Sequence, residues 1–365
     1  MELEVWGKRV VPRKAQLGKK VFQAVVLVVV VWGIALTARR AGRDLQQQRS
    51  ELVAQAEQLE RTAVEASDPR ATALRAEAQR LRRAAEQFWR ASPGGLMLAC
   101  ATYALGLLPA AFFWRKCLHS VGQRVPMLDV LWAYLYGNLG KYFPGKAMVL
   151  VLRVAELAPH GVLKTTVTVT IFMETLTLMA VGGVVSGICL MVLEIDWRWT
   201  LLSAGLVAAT GLPTHPALLR YILPRLQRGV DAQTMEQWTR QITWRLMAQG
   251  WGLLLVTWLL WGASLTAVLA SLPVAEVTGV AWWRLWLAGQ AAVGLAVVLG
   301  FVSLVPGGAG VRELVLSVVL SPIVGPAAAL SSAIWMRIVW LATELACVGG
   351  VAGFRMLRSN RGEES

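Results

Sequence analysis

Long apolar runs govern what this chain can fold into. Val21–Ala38, Gly95–Trp114, Leu176–Leu193, Leu246–Leu272 and Ala327–Gly353 each approach or reach the roughly 20 residues that a spanning helix needs. Their Val/Leu/Ala/Gly mixture shows no alternation, which argues against an outer-membrane barrel. At 56% hydrophobic and 16% charged residues, the chain is more apolar than a soluble domain. The expected class is all-α: a polytopic helical membrane protein of about seven to eight spans.

The formal net charge of +14 would suggest nucleic acid in a soluble protein. Here the basic residues mostly flank apolar blocks, which is an orientation signal, so no nucleic-acid partner is expected. Attraction to anionic headgroups is a secondary reading. Trp282, Trp283 and Trp286 sit at a block edge, as interfacial anchors do. Four scattered cysteines and three ungrouped histidines predict no disulfide framework, metal site or cofactor.

The expected organisation has four parts. Residues 1–38 are a cytoplasmic N-terminus and a first, uncleaved span, since Arg39-Arg40 rather than a small-residue cleavage site follow it. Residues 39–92 are an antiparallel helical hairpin. Leu45, Leu52 and Leu59, then Leu74, Leu81 and Phe88, recur at heptad spacing, with Ala56, Ala63, Ala71, Ala78 and Ala85 in companion rows. Asp68 and Pro69 supply a cap and a first-turn proline for the second arm. Arg39, Arg40 and Arg43 pull this hairpin toward the cytoplasm, but a folded segment of this length crosses regardless of charge. The expected side is therefore exoplasmic. Residues 93–354 are the main transmembrane domain, and 355–365 a cytoplasmic tail carrying Arg355, Arg358 and Arg361. The expected location is the inner, cytoplasmic membrane.

Two segments break the apolar pattern in the same way. "YFPGKAMVLVLRVAEL" (142–157) and "LVPGGAGVRELVL" (304–316) each place a Pro-Gly break before a short helix bearing arginine and glutamate. Pro144, Gly145, Pro306, Gly307, Gly308 and Gly310 are the helix-break residues. In lipid, backbone groups freed by such a break need partners in protein or in a wet cavity. Broken helices at corresponding places in two halves point to a transporter's substrate site. The helix N-termini after each break favour an anion, and Lys141, Lys146, Arg153 and Arg312 add full charges. The abundant anion in a membrane is a lipid phosphate. The bland alternative is a plain loop between spans with flanking cytoplasmic charges.

Further charges lie within apolar runs: Glu174, Arg337 and Glu344. Each costs on the order of 2.5–3.5 kcal/mol to insert unpaired, so partners are expected. Glu174 can pair with Arg312 or Arg153, and Arg337 with Glu313 or Glu344. Such pairs are either functional or simply structural. Asn138 and Gln290 suit interhelical hydrogen bonds. Gly182-Gly183 and Gly349-Gly350 suit close packing. Asp129, Asp196 and Asp231 stand alone, so no paired-aspartate loop suggests a membrane transferase. There is no GxxxxGK[ST] motif for ATP.

"GNLGKYFPGK…R", a glutamate-bearing span, "VPGGAGVRE" and a final span with an internal arginine together resemble the flippase-like family. This family is also called the lysylphosphatidylglycerol synthase transmembrane region. The resemblance covers roughly Gly95 to Gly353. Its better-understood members move an aminoacylated phospholipid between leaflets. It implies headgroup binding by Asn138, Lys141, Tyr142, Lys146, Arg153, Arg312 and Arg337, with Glu174, Glu313 and Glu344 as charge-balancing or coupling groups. The fused synthases carry a soluble aminoacyl-transferase domain that this sequence lacks, so a non-enzymatic translocator of a phospholipid or polyprenyl-phosphate-type lipid is expected. The alternative is a membrane-embedded subunit or scaffold of a lipid or cell-envelope glycosyl- or aminoacyl-transferase system. In that case the 39–92 hairpin, which the resemblance does not account for, would dock a protein partner.

Overall fold

The computed structural model describes residues 50–363, apart from 52, 65–67, 88–89, 143–146, 195–196, 227–231, 304–307 and 309. The expected first span, Val21–Ala38, lies outside the described residues. Within them the chain is all-α, and five helices are long and apolar enough to cross a membrane. Those five are α2 (Pro93–Ser120), α5 (Lys164–Val192), α9 (Trp244–Ser271), α10 (Trp282–Val302) and α12 (Pro326–Glu363). Shorter helices fill the intervals. They are α1 (Asp68–Gln87), α3 (Met127–Asn138), α4 (Ala147–Leu157), α6 (Trp197–Gly211), α7 (Pro216–Leu226), α8 (Ala232–Gln241) and α11 (Val311–Val324).

Local chemistry sets the ends of the long helices. The Ser92 hydroxyl accepts the Gly95 N–H (3.2 Å) and Pro93 occupies the first turn, which starts α2. Thr243 does the same for α9 through the Leu246 N–H (3.2 Å). α2 extends past Trp114 to Ser120, so Arg115 and Lys116 lie in its last turns rather than in a loop. Long basic side chains at a helix end can reach out of an apolar layer while their stems stay in it. Between α11 and α12, Gly325 adopts a φ of 78°, a turn that glycine enters without a Cβ penalty.

The core sits where α2, α5, α9, α10 and α12 meet. α2 and α9 run antiparallel, with the Ser92 N–H bonded to the Ser271 carbonyl (2.8 Å) at one end. Small residues bring helices together, as expected where packing rather than the hydrophobic effect drives association. A Cβ on Gly182 of α5 would meet Trp258 at 2.3 Å, and one on Gly294 of α10 would meet Ser186 at 2.1 Å. The Gly182 expectation is thus met. Gly349 and Gly350 differ: among the described residues, a Cβ at either finds nothing within 4 Å. Gln290 bridges helices as expected, donating to the Leu259 carbonyl at 3.1 Å.

The described part of the 39–92 segment is a helix over 53–64 and then α1. Ala56, Ala63, Ala71 and Ala78 are buried, while Leu59 and Leu74 are half-buried. Among the described residues, these four alanines and the two half-buried leucines line the seam. Arg82 of α1 bridges to Glu60 of the opposing arm (2.8 Å), and α1 also contacts α12.

Two hairpins flank the breaks. α3 and α4 have 12 and 11 residues, or about 16–18 Å each, against the roughly 30 Å of a hydrocarbon core. They do not run end to end as one span. Asp129 at the start of α3 contacts His160 just past α4 (3.5 Å), and Trp132 donates to Glu156 (2.8 Å). Their far ends therefore lie side by side. At the tip, Leu139–Tyr142 form a single 3₁₀ turn. A Cβ on Gly140 would meet the Val149 nitrogen at 2.6 Å, so glycine lets the two arms touch through backbone. α10 and α11 form the second hairpin, with Arg312 packed against Gly300 and Gly308.

Candidate functional site

Three charged clusters lie along α12 and the two hairpins. The deepest is Arg153 of α4 with Glu174 of α5. Nη1 lies 3.2 Å from the carboxylate and both side chains are 3% exposed. Nη2 donates to Asn138 Oδ1 (3.0 Å), and the guanidinium lies over the rings of Trp114 (4.6 Å) and Tyr134 (4.3 Å). The Tyr134 hydroxyl also donates to Glu174 (3.4 Å). Trp114 is itself fixed, donating to the Thr170 hydroxyl (3.2 Å). Gly137 faces Arg153, where a Cβ would meet Cγ at 2.5 Å. A fork-shaped, ring-stacked cation suits arginine and not lysine. Of the two partners open to Glu174, the structure selects Arg153.

The second cluster centres on Glu344 of α12, which is 1% exposed. Lys141 pairs with it, Tyr103 donates to the same oxygen, and Tyr142 donates to the other at 3.0 Å. Tyr103 is stacked on Trp340 with centroids 4.2 Å apart. Lys141 and Tyr142 belong to the tip of the α3–α4 hairpin, so a carboxylate on the last span holds that tip from inside the bundle.

The third cluster belongs to the second hairpin. Glu313 accepts the Gly310 N–H (2.7 Å) with one oxygen, capping α11, and pairs with Arg337 of α12 through the other. Of the two partners open to Arg337, it takes Glu313. Arg312 differs from the other intramembrane cations. Among the described residues it has no carboxylate within ion-pair distance; its Nε, like that of Arg153, is buried without a hydrogen-bond partner. Both hairpins bear on α12, the second at Arg337 and the first at Glu344, about two turns apart.

Asn138, Lys141, Tyr142, Arg153, Arg312 and Arg337 therefore fall into these clusters, as do Glu174, Glu313 and Glu344. Gly308 and Gly310 lie beside Arg312 and at the α11 cap. Lys146, Pro144, Gly145, Pro306 and Gly307 lie outside the described residues. Asp129, isolated in sequence, is paired with His160 and with Arg355 (3.2 Å) at the base of the first hairpin. Asp196 and Asp231 lie outside the described residues.

Residues absent from the sequence reading are Tyr103, Tyr134, Trp114 and Trp340. A signal existed: the chain has five tyrosines against 17 tryptophans, and Tyr103, Tyr134 and Tyr142 each donate to a buried glutamate. A hydroxyl in an apolar block needs an acceptor. No group of three or more metal-ligating side chains occurs among the described residues. An apolar cleft of about 770 Å³ between α5, α6 and α9, lined by Ile188, Val207, His215 and Trp251 among others, contains none of the predicted residues.

The fold and clusters define a multi-pass, all-α membrane protein with paired charges buried among its helices and two hairpins meeting at its last span. Residues 79–346 match the family described as the lysylphosphatidylglycerol synthase TM region, and the chain belongs to that family. No curated protein matches it.

Proposed function

We propose that this protein moves a phospholipid or polyprenyl-phosphate-type lipid between leaflets, without catalysing a covalent step. The observation that carries this reading is Arg312 at the start of α11, a cation with no carboxylate partner among the described residues, beside a helix whose own charges, Arg337 and Glu344, are paired. An uncompensated charge at membrane depth is costly, and an anionic headgroup would relieve that cost. In this reading Lys141, Arg312 and, from the sequence, Lys146 contact the phosphate. Arg153 and Arg337 shape the region through their own pairs. The first hairpin dips part-way into the bilayer, the short α11 turns back beside the spanning α10, and the acyl chains remain in lipid. The setting is the cytoplasmic membrane, with the tail past Arg355 on the cytoplasmic side.

The test is reconstitution into liposomes with a fluorescent anionic phospholipid, followed by chemical quenching of the outer leaflet. The wild-type protein should expose the inner-leaflet pool, and Arg312→Ala should slow that exposure at least tenfold. Equal rates for both proteins would refute the role given to Arg312.

A second reading is a scaffold or partner subunit. Its support is the 39–92 hairpin, whose described arms are joined by a buried alanine seam and an Arg82–Glu60 bridge and so hold a defined shape.

A further inference from the structure

The carboxylates of the three clusters are not equivalent. Glu174 is locked: its arginine is 2% exposed, bonded to Asn138 and covered by two rings. Glu313 divides its oxygens between the α11 cap and Arg337, so it cannot leave without uncapping a helix. Glu344 has a fixed side and a tip side. On the fixed side it accepts from Tyr103, which is stacked on Trp340 within the core. On the tip side it holds Lys141 and Tyr142, and the Lys141 side chain is 24% exposed. Arg312, on the α11 helix that packs against the same α12, has its Nε unsatisfied.

We propose that Glu344 is an internal stand-in anion: it occupies the cationic site of Lys141 when no lipid is present, and a headgroup phosphate takes its place by exchange. This rests on the transport reading above. The chemistry is that of charge conservation in a low dielectric. Removing one partner of a buried pair strands a charge. Adding a singly charged phosphodiester sets two anions, the phosphate and Glu344, against two cations, Lys141 and Arg312, so the region as a whole becomes neutral. A phosphodiester has two non-bridging oxygens, one for Lys141 and one for Arg312, whereas Glu344 leaves Arg312 unserved. The displaced carboxylate keeps its Tyr103 donor. Lys141 and Tyr142 meanwhile lose the contact that ties the hairpin tip to α12. Binding is thereby linked to release of the tip, and return of Glu344 expels the lipid.

Two measurements on the full-length protein test this. The probe for binding is dihexanoyl phosphatidylglycerol below its micelle concentration, titrated against the purified protein, with inorganic phosphate as a parallel ligand. The transfer assay is the liposome experiment above. Glu344→Gln should bind the short-chain lipid about tenfold more tightly (about 1.4 kcal/mol) yet transfer lipid more slowly, because the competing anion that expels it is gone. Glu344→Asp should return both values toward wild type. Tyr142→Phe keeps every charge and deletes one donor to Glu344; it should tighten binding by about threefold, and it gives an independent reading if Glu344→Gln does not fold.

A merely structural Glu344 predicts the opposite sign, with weaker lipid binding in both variants. Unchanged or weaker binding in variants that remain folded overturns the exchange, while leaving transport by the wild type standing. If the wild type neither binds nor transfers the anionic lipid, the transport reading falls and the exchange with it. Tightening confined to the lipid identifies a headgroup site that needs acyl chains. Equal tightening for inorganic phosphate identifies recognition of the phosphoryl group alone. Either pattern supports exchange.

Discussion

Arg153 shows how much a single side chain is asked to do in an apolar bundle. Its two Nη groups serve Glu174 and Asn138 separately, and its plane is covered by Trp114 and Tyr134. Lysine would keep the charge but offers no fork and no flat face. Arg153→Lys should therefore destabilise the protein by about 2–4 kcal/mol, near the range for breaking a buried pair, read as a lower thermal midpoint in detergent. Arg153→Met combined with Glu174→Gln should cost less than either single change, because neither partner is left charged and alone. A double change as damaging as the sum of the singles would show that the two residues act independently. The charges themselves were legible in the sequence, because each sits where lipid tolerates none without a partner. Their pairings were not: Lys141 and Glu344 are 203 positions apart, and Tyr103 and Glu344 are 241. No local spacing carries that information.

At the scale of elements, both Pro-Gly pairs lie outside the described residues, while described helices end before and begin after each of them. The shape of the first break did not follow from composition. A broken span and a hairpin share the same apolar runs, and what separates them is the meeting of Asp129 with His160. Gly140 gives a handle on this geometry. A Cβ there meets the Val149 nitrogen at 2.6 Å and the Met148 carbonyl carbon at 2.8 Å, both backbone atoms that cannot rotate away. Gly140→Ala should push α4 off the tip turn at a cost of about 1–3 kcal/mol. It should also displace Lys141 and slow lipid transfer severalfold, although it removes no charged group. Gly349→Ala is the matched control. Among the described residues nothing lies within 4 Å of a Cβ there, so it should change the thermal midpoint by less than about 0.5 kcal/mol equivalent. Comparable losses from both substitutions would mean that the tip contact has no special role.

For the molecule as a whole, the last helix is the common member. α12 carries Arg337 for the second hairpin, Glu344 for the tip of the first and Arg355 for its base. Its contact with α1 brings the 39–92 hairpin to the same helix. That arrangement separates the two functional readings. If lipid transfer depends on the charged region alone, removing residues 45–88 as a unit leaves the three α12 ion pairs in place, since none of them draws on the deleted arms. Transfer in liposomes should then stay within about twofold of wild type, a difference worth roughly 0.4 kcal/mol. Any protein captured by the intact chain from membranes should be lost together with the hairpin. If transfer instead collapses while the deleted protein keeps its thermal midpoint, the hairpin acts on transport itself, and its contact with α12 is the route by which it does so. The alanine seam allows a finer version of the same experiment. Ala56→Glu and Ala78→Glu place charges at positions that are fully buried between the arms, which should open the hairpin without shortening the chain. Agreement between opening and deletion would locate the effect in the hairpin's shape rather than in the length of the connection between its flanking helices.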